Sequence, residues 1–437
     1  MRKLLIVSPH FPPVNAPDMQ RVRMSLPHYP SCGWDPVVLT VGEAWQEGPL
    51  EPPLAGTLPP GLRIVRARAW PIRWTRLFGL HHLGLRAWLS LFRTGSRLLR
   101  TERFDAVFFS TTQFVVFALG PLWRRRHGVP YIIDIQDPWR TDYYERPGSR
   151  RAPGGWKYAF ARAQARLLEG WCYRGASAVM SVSPQYLEAM RARHPGTGCT
   201  PAAVIRFGAS RTDLRHAAAL SPARQFPRSG GERHLLYTGA AGPVMPHALL
   251  VLFEALRRYR DQAPERAARL KFHFIGTSYV TPGREKPSVT PVARACGVGD
   301  QVEEIAHRVG FLESLQLQRA ADALMLMGSS DLAYSPSKVF HYYLSGRPIL
   351  ALVFRDSVME GLLEELSCAW IIRFREHEPK EEAYAGLARF FDSVLDGFAP
   401  GSLPNRYPAH FEANYLAAEL TRRQCLLFDE AIGAPIS

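Results

Sequence analysis

The sequence predicts an α/β protein of two Rossmann-like domains, and three observations carry that prediction. Short apolar runs rich in Val and Ile alternate with helix-length segments, the alternation breaks once near residue 210, and it then resumes. In the first half the strand-like runs fall at 3–8, 35–41, 62–67, 105–110, 130–135, 176–183 and 202–207. Helix-length segments such as Ala16–Tyr29, Phe114–His127, Trp156–Arg174 and Pro184–Arg193 lie between them. Such alternation implies a parallel, doubly wound sheet whose functional loops gather at the carboxyl ends of the strands.

Residues 210–233 are polar, with proline and glycine and no apolar period, which reads as a linker. Strand-like runs then recur at 234–239, 271–276, 301–306, 349–354 and 370–374, with helices expected from about Pro246, across Val289–Cys296 and from Glu313. The expected organisation is therefore an N-terminal domain over 1–209, the linker 210–233, a C-terminal domain over 234–405, and a tail over 406–437. That tail carries a helical stretch, Ala409 to Ile432, long enough to cross back onto the first domain.

Composition narrows the class. A length of 437 residues suits two cores better than one, and 46% hydrophobic with 21% charged residues is a globular balance. The six cysteines are scattered without a CxxC pair, and no histidine stands at metal spacing. The expectation is no metal site, no disulfide framework and a reducing cytoplasm. MRKLLIVSPHFPP reads as a buried first strand and not as a signal peptide, and no window has the length and purity of a membrane span. The net charge of +15 favours an anionic partner.

The most informative stretch is DALMLMGSSDLAYSPSKVFHYYLSGRPILAL, residues 322–352. A strand, a loop, a helix and a second strand follow one another. Ser335 is the expected N-cap, Pro336 the first helical residue, and Gly346 with Pro348 the stop. Such a unit aims a helix N-terminus at the carboxyl edge of a sheet, where phosphates bind, and Lys338 adds a full charge in the first turn. An ordinary crossover with a solvated lysine is the competing reading.

Together KLLIVSPHFPPVNAPDMQRV, PYIIDIQDPW, ASAVMSVSP, HLLYTG, KFHFIG and YSPSKVFHYYLSGRPILAL resemble, in order and spacing, the nucleotide-sugar-dependent glycosyltransferases of the GT-B fold, family-four-like. The resemblance implies two Rossmann-like domains facing a central cleft, donor on the C-terminal side and acceptor on the N-terminal side. It implies a retaining, metal-independent transfer with no cofactor beyond the donor substrate. It places the donor diphosphate near Gly239, Ser337 and Lys338, the nucleobase against the loop starting at Gly276, Thr277 and Ser278, and the sugar near Pro12 to Ala16 and Asp137. His341 stands where the family has a glutamate that touches ribose.

Several family residues are replaced. Asn15-Ala16 stand for a Gly-Gly pair, Ala240 and Ala241 for basic residues, Ala333 and His341 for two glutamates, Gln136 for an arginine and Phe117 for a histidine. Each lost charge-assisted bond is worth about 1.5–3 kcal/mol. A catalytically weak or inactive GT-B scaffold serving as an assembly partner is therefore the alternative to an active enzyme.

Read as residues, the candidates each have a plainer role. Asp137 is the expected catalytic carboxylate or an Asx-turn former before Pro138. Trp139 stacks on a sugar or packs. Asn15 caps a helix or bonds a sugar hydroxyl, Arg21 is a phosphate candidate, and Arg23 is expected in solvent. Tyr334 and His341 wall the nucleotide pocket or pack, and His273 is structural.

The segment Arg63–Arg103 carries ten arginines and one acid, interleaved with Trp70, Trp74, Trp88 and many leucines. That composition suits contact with an anionic membrane surface at the inner face, with an ordinary crossover helix as the alternative. Nucleic acid ranks behind both, because no recognition motif accompanies the charge. The functional expectation is transfer of a sugar from a nucleotide diphosphate to a glycan or lipid-linked cell-surface precursor, in the cytoplasm and peripheral to the membrane.

Overall fold

Two all-parallel sheets organise the chain. The computed structural model describes residues 1–75, 82–140, 156–222, 224, 226–227, 229–241, 245–278, 285–332 and 334–433. Its contacts divide the chain into one unit of Met1–Gly208 with Tyr415–Ser437, and a second of Ala209–Asn414.

The first unit holds strands β1 (Arg2–Val7), β2 (Trp34–Val41), β3 (Arg63–Ala67), β4 (Ala106–Ser110), β5 (Tyr131–Ile135), β6 (Ala178–Ser181) and β7 (Ala202–Val204), in the order β3-β2-β1-β4-β5-β6-β7. Strands β1, β4 and β5 are buried on both faces almost throughout, which is why they read as unbroken apolar runs and not as alternation. The helix Leu83–Thr101 lays Leu83, Ala87, Leu91, Leu98 and Leu99 onto one face of the sheet. The other face receives the helix Ala417–Ala431. Its Phe428 sits among Tyr29, Trp34 and Phe108, and its Asp429 accepts from the indole N–H of Trp34 at 2.9 Å.

The second unit holds β8 (Arg233–Thr238), β9 (Leu270–Ile275), β10 (Val302–Ile305), β11 (Ala323–Met327), β12 (Ile349–Phe354) and β13 (Trp370–Phe374), ordered β10-β9-β8-β11-β12-β13. Helices Pro246–Gln262 and Glu381–Asp396 bury one face with Leu252, Leu256, Leu387, Phe390 and Phe391.

Three expectations about local structure change. Part of the stretch read as a linker is a helix, Arg211–Ala219, whose cap Ser210 accepts from the Thr212 N–H at 3.2 Å. It is held to helix Phe311–Ala320 by Gln316, whose amide donates to the carbonyls of Ala217 and Leu220. Only Asp213 and Ala217 of this helix are buried, too few to show as an apolar period. The expected single tail helix is two, Pro408–Tyr415 and Ala417–Ala431, and Phe411 of the first stacks on Tyr343 in the second unit. Finally, the helix expected to start after Ser335 begins at Lys338, with Ser337 at the cap and no side-chain capping bond.

Candidate active site

In an open parallel sheet, ligands collect where the strand order reverses, because the loops leaving two neighbouring strands part there and open a crevice. The second sheet reverses between β8 and β11. Gly239 follows β8 with φ of +104°, a conformation glycine reaches without strain, and donates its N–H to the Ile275 carbonyl at 2.8 Å. Lys338, the first residue of the helix after β11, reaches across the reversal. A Cβ at Gly239 would stand 3.0 Å from its Nζ. The ammonium lies 3.8 Å from the centroid of the buried Tyr237 ring, within cation–π range. One turn on, Tyr342 accepts the Thr238 N–H at 2.9 Å, which fixes this face of the helix against the end of β8.

No carboxylate and no hydrogen-bond acceptor pairs with the Lys338 ammonium among the described residues. Desolvation lowers its pKa from 10.5 to about 7. A half-buried cation with an aromatic face and no counter-charge among the described residues suits an anion.

The other expected donor residues divide. Gly276, with φ of +78°, lies beside Gly239 at the end of β9. Thr277 is buried and its hydroxyl donates to Glu304 at 2.6 Å. Glu304 also accepts from the N–H groups of Ser288, Val289 and Thr290, bonds that hold its pKa low against its burial. Thr277 therefore closes a loop, and the loop it opens runs into 279–284, outside the described residues. Ser337 is exposed at the helix start. Tyr334 is half-buried against the core, and His341 meets Phe311 edge-on at 5.3 Å, both in packing positions. Ala333, the other replaced glutamate, lies outside the described residues. His273 bonds His234 at 2.9 Å and Glu303 at 2.8 Å within β8–β10.

The first sheet reverses between β1 and β4. Its crevice is lined by His10, Asp18, Thr111 and Thr112, which the sequence reading did not name, and by Gln136, which it did. His10 Nδ1 is 2.9 Å from Asp18, and Asp18 also accepts from the Thr111 hydroxyl at 2.8 Å and the Thr112 N–H at 3.2 Å. Burial alone would raise the Asp18 pKa, but these bonds outweigh it and hold it low. Gln136 donates to the Asp18 carbonyl, to Ser110 and to Asp134.

Asp137 follows β5, exposed, with no hydrogen bond or ion pair among the described residues. Crowding by the surrounding chain and then the Asp18 charge push its pKa above the ordinary value. Trp139 is half-buried and stacked on Phe114 at 5.7 Å, so part of its surface is already spent on packing.

Three expectations here are corrected. Asn15 caps nothing: its amide donates to Glu51 at 2.8 Å and its oxygen accepts from Gln20, while buried Ala16 occupies the cap position. Arg21 is no phosphate ligand in this fold, being buried in an ion pair with Asp134 at 2.9 Å and bonded to the Ile205 carbonyl. Arg23 is buried, not solvated, and donates to Gln20 and Thr57.

The basic segment resolves in the same way. Arg86 is buried and holds the carbonyls of Trp70 and Trp45, with Glu47 as its counter-ion. Leu83, Leu91, Leu98 and Leu99 of the helix Leu83–Thr101 face the sheet, while Leu89, Arg93, Arg97 and Arg100 are exposed. What remains open is the tip around the helix Ile72–Thr75, where Trp70 and Trp74 are 62% and 59% exposed. Arg76 lies outside the described residues. No described helix is long and apolar enough to cross a membrane. No group of three His, Cys, Asp or Glu side chains among the described residues is placed to hold a metal ion.

Two parallel sheets of this order, each with polar groups at its reversal, define the GT-B class of fold. Residues 20–208 match the sequence model of the glycosyl transferase 4-like domain. Solved structures agree on the fold. The N-terminal domain of Candida albicans trehalose-6-phosphate phosphatase aligns with a TM-score of 0.63 at 12% identity, covering 98% of this chain and 97% of that one. A UDP-forming trehalose-phosphate synthase from Burkholderia xenovorans gives 0.57 at 11%, covering 96% and 98%. Sucrose-phosphate synthase from Thermosynechococcus elongatus gives 0.54 at 14%, covering 99% and 96%. No curated protein matches the chain in sequence.

Proposed function

We propose that the protein is a glycosyltransferase that moves a sugar from a nucleotide diphosphate sugar to a hydroxyl of a lipid-linked glycan precursor. The single observation that carries the donor half is the Lys338 ammonium over Gly239 at the reversal of the second sheet, unpaired among the described residues. A diphosphate there gains a charge-assisted bond and restores the proton that burial strips from the lysine. Stabilising the leaving diphosphate is the main chemical task of such a transfer, and a pre-placed cation performs it without reorganisation. The family likeness supports retention of configuration and a reaction that needs no metal. Asp137, at the end of β5 and without a partner among the described residues, suits the acceptor side.

For the acceptor, the exposed Trp70 and Trp74, with Arg73 over the Trp74 ring at 5.8 Å, suit an anionic lipid surface at the inner face of the membrane. Replacement of basic residues by Ala240 and Ala241 favours a second reading, a scaffold with little turnover. A screen of UDP- and GDP-sugars by calorimetry, followed by release of nucleoside diphosphate, separates the two. Saturable binding with turnover supports the enzyme, and binding without turnover supports the scaffold. No binding at millimolar concentration overturns the donor site.

A further inference from the structure

We propose that Glu304 is a positioning residue for the donor site, and that the group it positions is the backbone N–H of Ala240, a second phosphate donor beside Lys338. The inference rests on the nucleotide-diphosphate reading of the second sheet's reversal and deepens it. The loop leaving β8 passes the Lys338 ammonium at Gly239 and continues through Ala240 and Ala241. Ala241 is buried in the core and neither alanine carries a charge, so this loop has only its backbone to offer an anion.

One backbone donor of the loop is left over. Gly239 donates to the Ile275 carbonyl at 2.8 Å, and Ala241 donates to the Thr277 carbonyl at 3.1 Å. Between them the N–H of half-buried Ala240 makes no hydrogen bond among the described residues. The Ala240 carbonyl, by contrast, accepts from the Tyr237 hydroxyl at 2.6 Å. A half-buried amide without an acceptor is unfavourable, and an oxyanion relieves it with a charge-assisted bond.

Glu304, on β10, closes a ring of bonds around this loop. One carboxylate oxygen accepts from the Thr277 hydroxyl at 2.6 Å and the Ser288 N–H at 2.9 Å. The other accepts from the N–H groups of Val289 at 3.0 Å and Thr290 at 2.7 Å. Thr277 in turn receives the Ala241 N–H, and the Ser288 hydroxyl donates to the Ala241 carbonyl. Both polar backbone atoms of Ala241 are therefore tied to residues that Glu304 holds. With Gly239 tied on the other side, the direction of the Ala240 N–H is set before a ligand arrives. Burial alone would raise the Glu304 pKa, but the bonds from Thr277, Thr290 and Ser288 outweigh it and lower it. The ring thus keeps its charge through the range near pH 7 where Lys338 titrates.

The test uses the intact chain, with inorganic pyrophosphate, UDP and GDP as probes, in calorimetry and in NMR of alanine-labelled protein. In wild type the Ala240 amide proton should move downfield as a bound probe is added. Glu304→Gln keeps the shape, but whichever oxygen becomes NH2, two of the four donors lose their acceptor. It should weaken binding on the order of 10-fold, the contribution of one charge-assisted bond, and shrink the Ala240 shift. Thr277→Val should repeat that loss, and Thr277→Ser should restore wild-type affinity. A residue that only supported the fold would lower the melting temperature and leave affinity and the Ala240 shift unchanged. Should Glu304→Gln fail to fold, the two Thr277 variants decide. Wild-type binding with an unmoved Ala240 amide, or Glu304→Gln and Thr277→Val within twofold of wild-type affinity, overturns the inference and leaves the Lys338 site standing. A wild type that binds none of the three probes overturns the diphosphate reading and the role of Glu304 with it.

Discussion

Replacing Lys338 with methionine keeps the length of the side chain and removes its charge, and two opposite effects should follow. The folded chain releases the Lys338 proton near pH 7, whereas the unfolded chain keeps it to about 10.5. Between those values the unfolded state binds more protons, so this group's cost to stability is fully present below pH 7 and fades as pH rises toward 10.5. Each pKa unit is worth about 1.4 kcal/mol, which sets an upper bound of about 5 kcal/mol. Because the side chain is only half-buried, solvent screening brings the expected gain for Lys338→Met down to ~2 kcal/mol at pH 6.5. That gain should shrink in denaturant titrations at pH 10.

Binding should move the other way. If only the cationic lysine holds the diphosphate, apparent affinity follows the protonated fraction, about one half at pH 7 and about one hundredth at pH 9. Wild-type affinity for nucleoside diphosphate should then weaken about 50-fold over that interval. Calorimetry in two buffers of different ionisation enthalpy should also detect proton uptake on binding. Lys338→Met should bind nucleosides normally and nucleoside diphosphates poorly, with no steep pH dependence. A variant that is less stable than wild type at pH 6.5, or that binds diphosphates equally well, refutes the reasoning.

Gly239→Ala should likewise weaken diphosphate binding, since a Cβ at φ +104° strains the backbone and meets the ammonium at 3.0 Å; a melting temperature lowered without loss of affinity would contradict it. Asp137→Asn should lower turnover at least tenfold while donor Kd stays within about twofold, because the carboxylate has no partner among the described residues to lose; full activity would reduce it to a turn former. Trp74→Ala should weaken sedimentation with anionic vesicles while Arg73→Gln mainly flattens its salt dependence. Wild type that ignores such vesicles at low salt would remove the membrane from the account.

Much of the architecture was legible locally, because a strand buried on both faces writes itself as a run of Val and Ile, as in KLLIVS and ILALVF. The position of Lys338 at a helix start beside the sheet edge was legible for the same reason: strand, loop, helix and strand lie within 31 consecutive residues, 322–352. His10, Asp18 and Thr111 were not legible. They meet only because β4 adds beside β1 while β2 and β3 go to the other side, and no local pattern records that choice. Burial of Arg21, Arg23 and Arg86 was missed for a related cause. An arginine reads as a surface residue until its acceptors, here Asp134, Thr57 and the Trp70 carbonyl, are brought to it from distant segments. The helix Arg211–Ala219 was hidden because it buries too few apolar residues to show a period.

The central claim is that a nucleotide diphosphate binds at the reversal of the second sheet. Photo-crosslinking of the intact chain with an azido-nucleoside diphosphate sugar, followed by peptide mapping, tests it most directly. Label should appear on peptides carrying Gly239 to Ala241 or Ser329 to Lys338, compete away with unlabelled nucleoside diphosphate, and vanish in Lys338→Met. Competable label confined to Met1–Gly208, or undiminished in Lys338→Met, would contradict the account.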